Sequence, residues 1–488
     1  MVQSVAKRLL ALAVTAFALL FTWPSAEQTT SVEFPDSETA GQASGDESVI
    51  DGPENEGGVD GAENPDGPES GASSSRPSSS GGGAEAFRNE SGTYFSTLGA
   101  PDDALAWMGS SQILFNRPLP QDTPTVSNSD VIASHINEII RGDRLYSYGS
   151  GIEEDRNAPH IVLVDSDREQ FTPIVFRPQD CGSDTWWGWG PDEFEPYING
   201  AYADIGAVGV PLPPDFRMHS DDSDFHLMIY DWRRDVLIEL WRAKPNNITG
   251  RPGIEVCWGG VTKDYAAGGT GVFPFPVGVT ASGMSSAGLT ITLEDLRRGE
   301  INHAIGVSSE IAIDNQQGTD FSFPATRNDG ICSSRQPPPD AYHAHVADSM
   351  GGAENCLLEG QYMRLPLDYD VDSITHPYAR MIAIAARDYG LVLQDVAGCF
   401  CFQAESGRTA TDNGFGSEDP WGAFYDGTPD WEVLWQIDWS RLEILPPDWN
   451  RPSDYQIPCA IAPGRSAATN PMGSDPRCQL PSDPYLTG

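Results

Sequence analysis

Residues 224–243, DFHLMIYDWRRDVLIELWRA, decide the fold class, because hydrophobic and polar residues alternate on both sides of a short polar turn. Alternation with a period of two is typical of β-strands. A four-residue loop at 231–234 pairs Tyr230 with Asp235 and places hydrophobic residues opposite one another on one face. The stretch therefore predicts a β-hairpin with one clean core face.

The second face of this predicted hairpin is a candidate site. In that register His226 lies opposite Glu239, and the same face carries Tyr230 and Trp241. A histidine beside a carboxylate is a competent general acid/base pair, and aromatic faces pack on sugar rings. The alternatives are a half-exposed sheet face with an incidental ion pair, or a second buried layer under a loop.

Another informative stretch is residues 279–309, VTASGMSSAGLTITLEDLRRGEINHAIGVSS. Thr292 is a good N-cap, and Asp295 completes a pair that resembles a capping box. Gly299 supplies a left-handed helix end. After the glycine the period changes from helical to two, so the stretch predicts a turn, a short helix and a strand.

His303 belongs to the predicted strand and shares its face with Ile301, Ile305 and Val307. One interpretation is a histidine that is hydrogen-bonded in the core, because buried polar groups usually have partners. The other interpretation is a catalytic or ligand-binding histidine in an enclosed cleft.

Short alternating segments dominate the rest of the chain and are separated by Gly, Pro and Asp. Helical patterns are few, at residues 130–140, 292–298 and 377–389. The sequence therefore predicts a mostly β protein, a β-sandwich or jelly roll with a few short helices and long disulfide-bounded loops. The main predicted strands are 160–164, 172–176, 224–230, 236–242, 253–258, 362–367 and 391–396.

Two N-terminal segments differ in amino-acid composition from the rest of the chain. Residues 1–26 have a basic start, an apolar run and a small-residue end, which predicts a secretory signal peptide. Residues 27–86 are rich in Gly, Ser, Pro and acidic residues, which predicts a disordered acidic spacer. Residues 87–488 are then expected to form a single globular β-rich domain, because no second linker of this kind follows.

Charge restricts the partners. The formal net charge of −42 argues against nucleic acid, which binds to basic surfaces. The apolar run of the signal is short for a membrane span, and no second run follows it. We therefore expect a secreted protein, extracellular or at the cell surface, with no membrane span, and we predict neither a metal site nor a cofactor.

Eight cysteines in an exported chain predict up to four disulfide bonds. Cys332 and Cys356 flank an insertion and are expected to close its base. Cys459 and Cys478 are expected to fix the C-terminal tail. Cys399 and Cys401 share one strand face, so each is expected to pair elsewhere rather than with the other.

Other candidate residues lie on later strands. Asp395 shares a face with Leu391 and Leu393, which predicts a semi-buried carboxylate with a raised pKa. Glu359 and Arg364 lie around the start of a strand in EGQYMRLP. The arginine either neutralises a uronate carboxylate of a substrate or pairs with one of the many acids of this chain.

Four segments together resemble a group of exported bacterial proteins, mainly actinobacterial and myxobacterial. They are TASGMSSAG, LRRGEINHAIGV, EGQYMRLPLDYDVD and ARMIAIAARDYGLVLQDVAG, and the resemblance covers roughly residues 115–445. The recurring features are a TASG turn, a GxIxHA strand, an EGxxxRL strand and a YG before an acidic residue. The resemblance implies kinship and no particular activity, and it emphasises the five residues His226, His303, Glu359, Arg380 and Asp395.

These observations favour a protein that acts on or binds extracellular carbohydrate, such as a polysaccharide or cell-wall glycan. A hydrolase would use two carboxylates, and a lyase would use a histidine base with an arginine near the uronate. A non-catalytic secreted module that binds a surface, or a structural one, is the alternative. The candidate catalytic residues are His226, Glu239, His303 and Asp395. The candidate substrate-binding residues are Tyr230, Trp241, Glu359, Arg364 and Arg380.

Overall fold

The computed structural model describes residues 87–142, 149–155, 157–177, 195–196, 198–217, 224–248, 251–268, 278–314, 321–326, 328–333, 341–415, 419–452, 457–458 and 478–479. The predicted signal peptide, the predicted spacer and Cys459, one partner of the predicted bond with Cys478, lie outside the described residues. The described residues belong to one unit that spans Gly83–Gly488.

Strands hold more residues than α-helices do, whereas α- and 3₁₀-helices together hold more than the strands. In chain order the strands are β1 Ser150–Glu153, β2 His160–Val164, β3 Phe171–Thr172, β4 Ile174–Phe176, β5 Val210–Pro211, β6 Leu227–Asp231, β7 Val236–Trp241, β8 Lys244–Ile248, β9 Arg251–Val256, β10 Trp258–Lys263, β11 Ile305–Ser308, β12 Ile313–Asp314, β13 Cys332–Ser333, β14 Tyr362–Arg364, β15 Leu391–Asp395, β16 Phe400–Gln403, β17 Glu443–Ile444, β18 Ile457–Pro458 and β19 Cys478–Gln479. The α-helices are α1 Ser129–Ile140, α2 Tyr265–Gly268, α3 Leu293–Arg298, α4 Ala341–Ser349, α5 Pro377–Asp388, α6 Arg408–Asp412, α7 Trp421–Tyr425 and α8 Asp430–Leu434.

The two larger sheets contain both parallel and antiparallel pairs. The six-stranded sheet has the order β1-β16-β11-β15-β14-β17, with β1/β16 and β11/β15 parallel. The four-stranded sheet has the order β10-β7-β6-β2, with β2/β6 parallel. A jelly roll consists of antiparallel strands, so these parallel pairs depart from that prediction, and a β-sandwich is not confirmed.

Hydrophobic clusters show how the sheets are covered. One cluster joins the six-stranded sheet to α1 and α5, as Ile136, Ile382 and Leu393 illustrate. A second cluster contains residues of both larger sheets, among them Tyr230 and Val392. A third covers the opposite face of the four-stranded sheet and includes residues of the smaller sheet β4-β9-β8. Both faces of the four-stranded sheet are therefore buried.

The 279–309 stretch forms the predicted capped helix. Thr292 Oγ1 accepts a hydrogen bond from the Asp295 N–H, and the Asp295 side chain accepts from the Thr292 N–H, so the capping box is complete. Gly299 ends α3 with a φ of 77°, a left-handed conformation that glycine adopts readily. The strand that follows begins only at Ile305, so His303 lies before it.

Two disulfide bonds lie wholly within the described residues. Cys332 and Cys356 are bonded, which confirms the predicted closure of that insertion. Cys399 and Cys401 are bonded to each other, so the prediction that each pairs elsewhere is wrong. Alternate residues of an extended strand lie about 6.6 Å apart, whereas these two Cα atoms are 5.4 Å apart, because Cys399 precedes β16 and its backbone is not extended with the strand. No helix in the described ranges is both long and apolar enough to cross a membrane.

Candidate functional site

A cavity of about 240 Å³ lies where strands of both larger sheets end. Ser308 and Asp395 are register partners at the carboxyl ends of the parallel strands β11 and β15, and Cys401 pairs with Ser308 from the other side. Ligands commonly bind beyond the carboxyl ends of such strands. The cavity is lined by Glu153, Asn157, Asp224, His226, Trp241, Trp258, Val279, Ala281, Ser308, Asp329, Asp395, Val396, Ala397, Cys401 and Gln403.

Asp395 is the last residue of β15, after a run of buried residues, and its half-buried side chain faces this cavity. Its Oδ2 accepts a hydrogen bond from the Ala281 N–H and its Oδ1 accepts one from the Val396 N–H, each at 2.8 Å. Burial raises the pKa of Asp395 to about 8, and the negative charges of Asp329 and Asp224 contribute, although the two N–H donors oppose the shift. This shift favours the protonated carboxyl group of Asp395.

The TASG turn, residues 280–283, positions the donor to Asp395. Gly283 has a φ of 76°, and its N–H donates to the Thr280 carbonyl at 2.8 Å. The Thr280 hydroxyl donates to the Met284 carbonyl at 2.9 Å, and this side-chain hydrogen bond spans and stabilises the turn. The turn thus presents the Ala281 N–H to the Asp395 carboxyl group.

Glu239 holds the chain that follows the turn and does not line the cavity. Its Oε1 accepts hydrogen bonds from the N–H groups of Ser286 and Ala287 at 2.8 and 3.0 Å. Burial raises the pKa of Glu239 to about 7, against the effect of these donors. Its contacts are those of a structural carboxylate that holds the backbone at residues 286–287.

The hairpin has the predicted faces but a different register. Met228 pairs with Glu239 and Tyr230 pairs with Leu237, because the four-residue loop is 232–235 and not 231–234. The predicted pair of His226 with Glu239 is therefore wrong. Since a shift of two residues preserves the faces, His226 still lies on the side of Trp241.

His226 lies directly before β6 and lines the cavity with only 7% of its surface exposed. Its carbonyl accepts a hydrogen bond from the His160 N–H at 2.8 Å, which ties it to the neighbouring strand β2. Its buried ring Nδ1 has no hydrogen-bond partner among the described residues. The ring therefore retains hydrogen-bonding capacity at the cavity wall.

Two tryptophans form the aromatic part of the cavity wall. Trp241 at the end of β7 and Trp258 at the start of β10 are register partners, and both line the cavity. The Trp241 Nε1 lies 3.4 Å from Asp224 Oδ1, and the Arg242 guanidinium lies over its ring at 5.0 Å. The cavity thus combines an aromatic surface with carboxylates.

His303 lies elsewhere and is fully partnered. Its Nδ1 is 2.8 Å from the Ala304 carbonyl, and its Nε2 is 3.3 Å from Asp295 Oδ2. Burial opposes a charge on this ring, but the Asp295 carboxylate and the hydrogen bonds raise its pKa above the ordinary value. His303 is not among the described lining residues, so His226 and His303 do not share this cavity.

The remaining predicted site residues are also outside the cavity wall. Tyr230 is buried, and its hydroxyl donates to Asp235 Oδ1 at 2.9 Å. Glu359 is fully buried. Arg364 is buried and paired with Glu443 at 2.7 Å, whereas Arg380 pairs with Asp372 at the surface. For both arginines the structure favours the interpretation that each pairs with an acid.

The sequence reasoning missed Glu153, Asp224, Asp329 and Trp258. Asp224 shared the predicted hairpin face with Trp241, and that was the one available signal. Glu153 and Asp329 reach the cavity from strand and loop ends that are distant along the chain. Among the described lining residues four are carboxylic acids and none is Lys or Arg, so the cavity favours neutral or cationic ligands over anions.

Comparisons with known proteins give no family assignment, because no family model, no curated protein and no solved structure matches the chain. The resemblance to exported bacterial proteins therefore stays a prediction. The evidence for function is the chemistry of the cavity residues.

Proposed function

We propose that this protein hydrolyses glycosidic bonds of an extracellular polysaccharide or cell-wall glycan, with Asp395 as the general acid. The observation that carries the proposal is the Asp395 carboxyl group itself. It is held in place by two N–H donors, and it faces a cavity that also contains carboxylates and two tryptophans. Its pKa of about 8 keeps the group protonated at neutral pH, as a general acid requires.

The second group of the proposed reaction is Asp329. Glycoside hydrolysis uses one protonated carboxyl group and one ionised carboxylate on either side of the scissile bond. Asp329 lines the same cavity as Asp395, and its negative charge contributes to the raised pKa of Asp395. Asp395 would donate its proton to the leaving oxygen, and Asp329 would either activate water or attack the sugar. Asp224 is the other carboxylate that acts on Asp395 in this way.

The tryptophans support a carbohydrate ligand. Trp241 and Trp258 lie side by side on paired strands, and aromatic faces pack well on sugar rings. A cavity of about 240 Å³ is smaller than pockets for drug-sized ligands, which measure roughly 300–1,000 Å³. The cavity therefore suits a short part of a glycan chain rather than a long segment.

A uronate lyase is the weaker proposal. It needs a cationic group to offset the uronate carboxylate, and no Lys or Arg is among the described lining residues. Arg364 and Arg380 are paired with acids elsewhere. A non-catalytic carbohydrate-binding module is the better alternative, since the tryptophan pair supports binding without any acid/base step.

The proposal includes export. The disulfides are typical of proteins from oxidising compartments, and extracellular glycan is found there. We also propose that the two larger sheets face each other as a sandwich, with the cavity at one end. A shared hydrophobic cluster supports this arrangement.

The test is incubation of the purified protein with neutral, amino and acidic polysaccharides, followed by measurement of reducing ends. We expect release from neutral or amino glycans, and a loss of about 10²–10⁴-fold in kcat for Asp395→Asn. Asp372→Asn, which changes an exposed aspartate, is the matched control and is expected to keep full activity. Binding without release of reducing ends would favour the non-catalytic module. Equal activity of Asp395→Asn and wild type would contradict the assignment of the acid.

A further inference from the structure

The disulfide between Cys399 and Cys401 lies at the cavity and joins residues that are only two positions apart. Cys401, in β16, is buried and lines the cavity, whereas Cys399 precedes the strand and is partly exposed. The bond is therefore accessible from solvent on one side and in contact with the candidate site on the other.

This bond contributes little to the stability of the fold. The entropic effect of a disulfide grows with the length of the loop that it closes. Here only one residue, Phe400, lies between the two cysteines. Strand pairing already fixes Cys401, which is the register partner of Gly151 and of Ser308. By contrast, the bond between Cys332 and Cys356 spans 24 positions. A role other than stabilisation is the better explanation for the short bond.

Glu153 completes a group of three possible ligands. Gly151, the register partner of Cys401, lies two positions before Glu153 on β1. Glu153 and Cys401 therefore lie on the same face of the sheet. The Glu153 Oε1 is 3.8 Å from Cys399 Sγ. One ligand atom from each of Glu153, Cys399 and Cys401 lies within 4.8 Å of the others. In a tetrahedral zinc site two sulfur ligands are about 3.8 Å apart, so small side-chain rotations suffice.

We propose that reduction of this disulfide creates a metal site in which Cys399, Cys401 and Glu153 bind a thiophilic divalent cation such as Zn²⁺. A dithiol reductant supplies two electrons and two protons, the S–S bond becomes two thiols, and the reductant becomes a disulfide. Cation binding then releases the two thiol protons and forms two metal–sulfur bonds and one metal–oxygen bond. In the reverse step a disulfide oxidant takes up two electrons and two protons and becomes two thiols, while the Cys399–Cys401 bond re-forms and the cation is released.

Electrostatics favours this outcome over an open pair of thiolates. Two thiolates beside the Glu153 carboxylate repel one another, and a divalent cation offsets that repulsion. Soft sulfur ligands select zinc-like ions over calcium or magnesium. Three protein ligands with one open position are also usual for zinc sites that take an exchangeable fourth ligand.

The site would leave the net charge of the cavity wall unchanged, because the two thiolates offset the charge of the cation. Glu153 and Cys401 both line the cavity, so the bound cation would lie at its wall with one open coordination position. The redox state of one disulfide would thereby decide whether a ligand in the cavity meets a Lewis acid. This inference does not depend on the proposed hydrolase activity, and its test needs no substrate.

The test uses Co²⁺ as a spectroscopic probe for the purified protein, without oxygen and with a phosphine reductant. We expect one equivalent of Co²⁺ and a thiolate-to-cobalt charge-transfer band in the reduced protein, and no such band in the oxidised protein. Cys399→Ser/Cys401→Ser should lack the band, and Glu153→Gln should bind Co²⁺ at least about 10-fold more weakly. Cys332→Ser/Cys356→Ser is the matched control that should retain the band.

A second variant covers the case in which reduction unfolds the protein. Cys399→His/Cys401→His supplies two nitrogen ligands at the same positions and needs no reductant, so its other disulfides stay intact. We expect it to bind Zn²⁺ with an affinity that falls at least about 10-fold when Glu153→Gln is added. Absence of Zn²⁺ binding in this variant would overturn the proposal. So would a charge-transfer band of equal strength in reduced wild type and in Cys399→Ser/Cys401→Ser.

Discussion

The region around His303 and the cavity at Asp395 contain the same residue types, a histidine and carboxylic acids, in opposite surroundings. The His303 ring lies within hydrogen-bond distance of the Asp295 carboxylate and the Ala304 carbonyl, and Asp295 also accepts from the Thr292 N–H, all in a buried part of the core. Two backbone N–H groups hold Asp395, and the buried Nδ1 of His226 has no hydrogen-bond partner among the described residues. The contrast shows that open hydrogen-bonding capacity at a cavity, and not residue type, separates a candidate site from a structural pair.

The largest effect that this contrast predicts concerns activity. Asp395→Asn should lower the kcat of glycan hydrolysis by about 10²–10⁴-fold, because the amide cannot supply the proton. Asp295→Asn should leave kcat within a few-fold of wild type in any protein that remains folded. The measurement is initial rate against substrate concentration for both variants. A loss of kcat for Asp295→Asn as large as that for Asp395→Asn would remove the distinction between the two regions.

The next effect concerns stability and runs in the opposite direction. His303→Ala should lower the free energy of unfolding by about 1–3 kcal/mol, because it removes one hydrogen bond from the buried Asp295 carboxylate and one from the Ala304 carbonyl. His226→Ala should cost less, since no described residue loses a hydrogen bond to its ring Nδ1. Urea unfolding of the two variants at one pH measures the difference. Equal losses would show that His226 also has a structural role.

The pH dependence of stability sharpens the same comparison. The pKa of His303 is raised in the folded protein, so its contribution is fully present below the unfolded pKa of about 6.5 and is lost as the pH rises through the folded pKa. We therefore expect the wild type to lose more stability than His303→Ala does between pH 6 and a pH above the folded value. Urea unfolding at several pH values tests this. An identical pH dependence in both proteins would refute the role of the protonated pair.

The smallest effect separates buried from surface ion pairs. Arg364→Ala breaks a pair with Glu443 in which the arginine is only 5% exposed, whereas Arg380→Ala breaks a pair with Asp372 whose partners are 45% and 78% exposed. We expect a loss of about 0–1 kcal/mol for Arg380→Ala and a larger loss for Arg364→Ala. Thermal unfolding measures both. Neither change should alter substrate specificity if both arginines are structural. A selective loss of activity on acidic glycans would instead favour a uronate lyase.

Local patterns predicted local structure well. Alternation in residues 224–243 gave the two strands and their faces, and the capping pattern gave α3 with its glycine end. The register was two residues out, because the same hydrophobic faces fit both positions of the loop. The alternation also included His303 in a strand that begins only at Ile305.

The cavity was harder to predict, since it depends on contacts between residues far apart in the chain. The sequence singled out His226, Trp241 and Asp395, which share the cavity. It paired His226 with Glu239, which instead holds the chain that follows the TASG turn. Glu153 and Asp329 carry no periodic signal that links them to the hairpin. The bond between Cys399 and Cys401 was missed because a strand was assumed to begin before Cys399, and an extended backbone keeps alternate residues too far apart.

The most direct test of the central claim is the ionisation of Asp395 itself. Infrared difference spectra of wild type against Asp395→Asn report the carbonyl stretch of a protonated carboxyl group and need no substrate. The account predicts that this band is present at pH 6 and disappears with a midpoint near pH 8. An Asp395 side chain that is already ionised at pH 6 would contradict its assignment as the general acid.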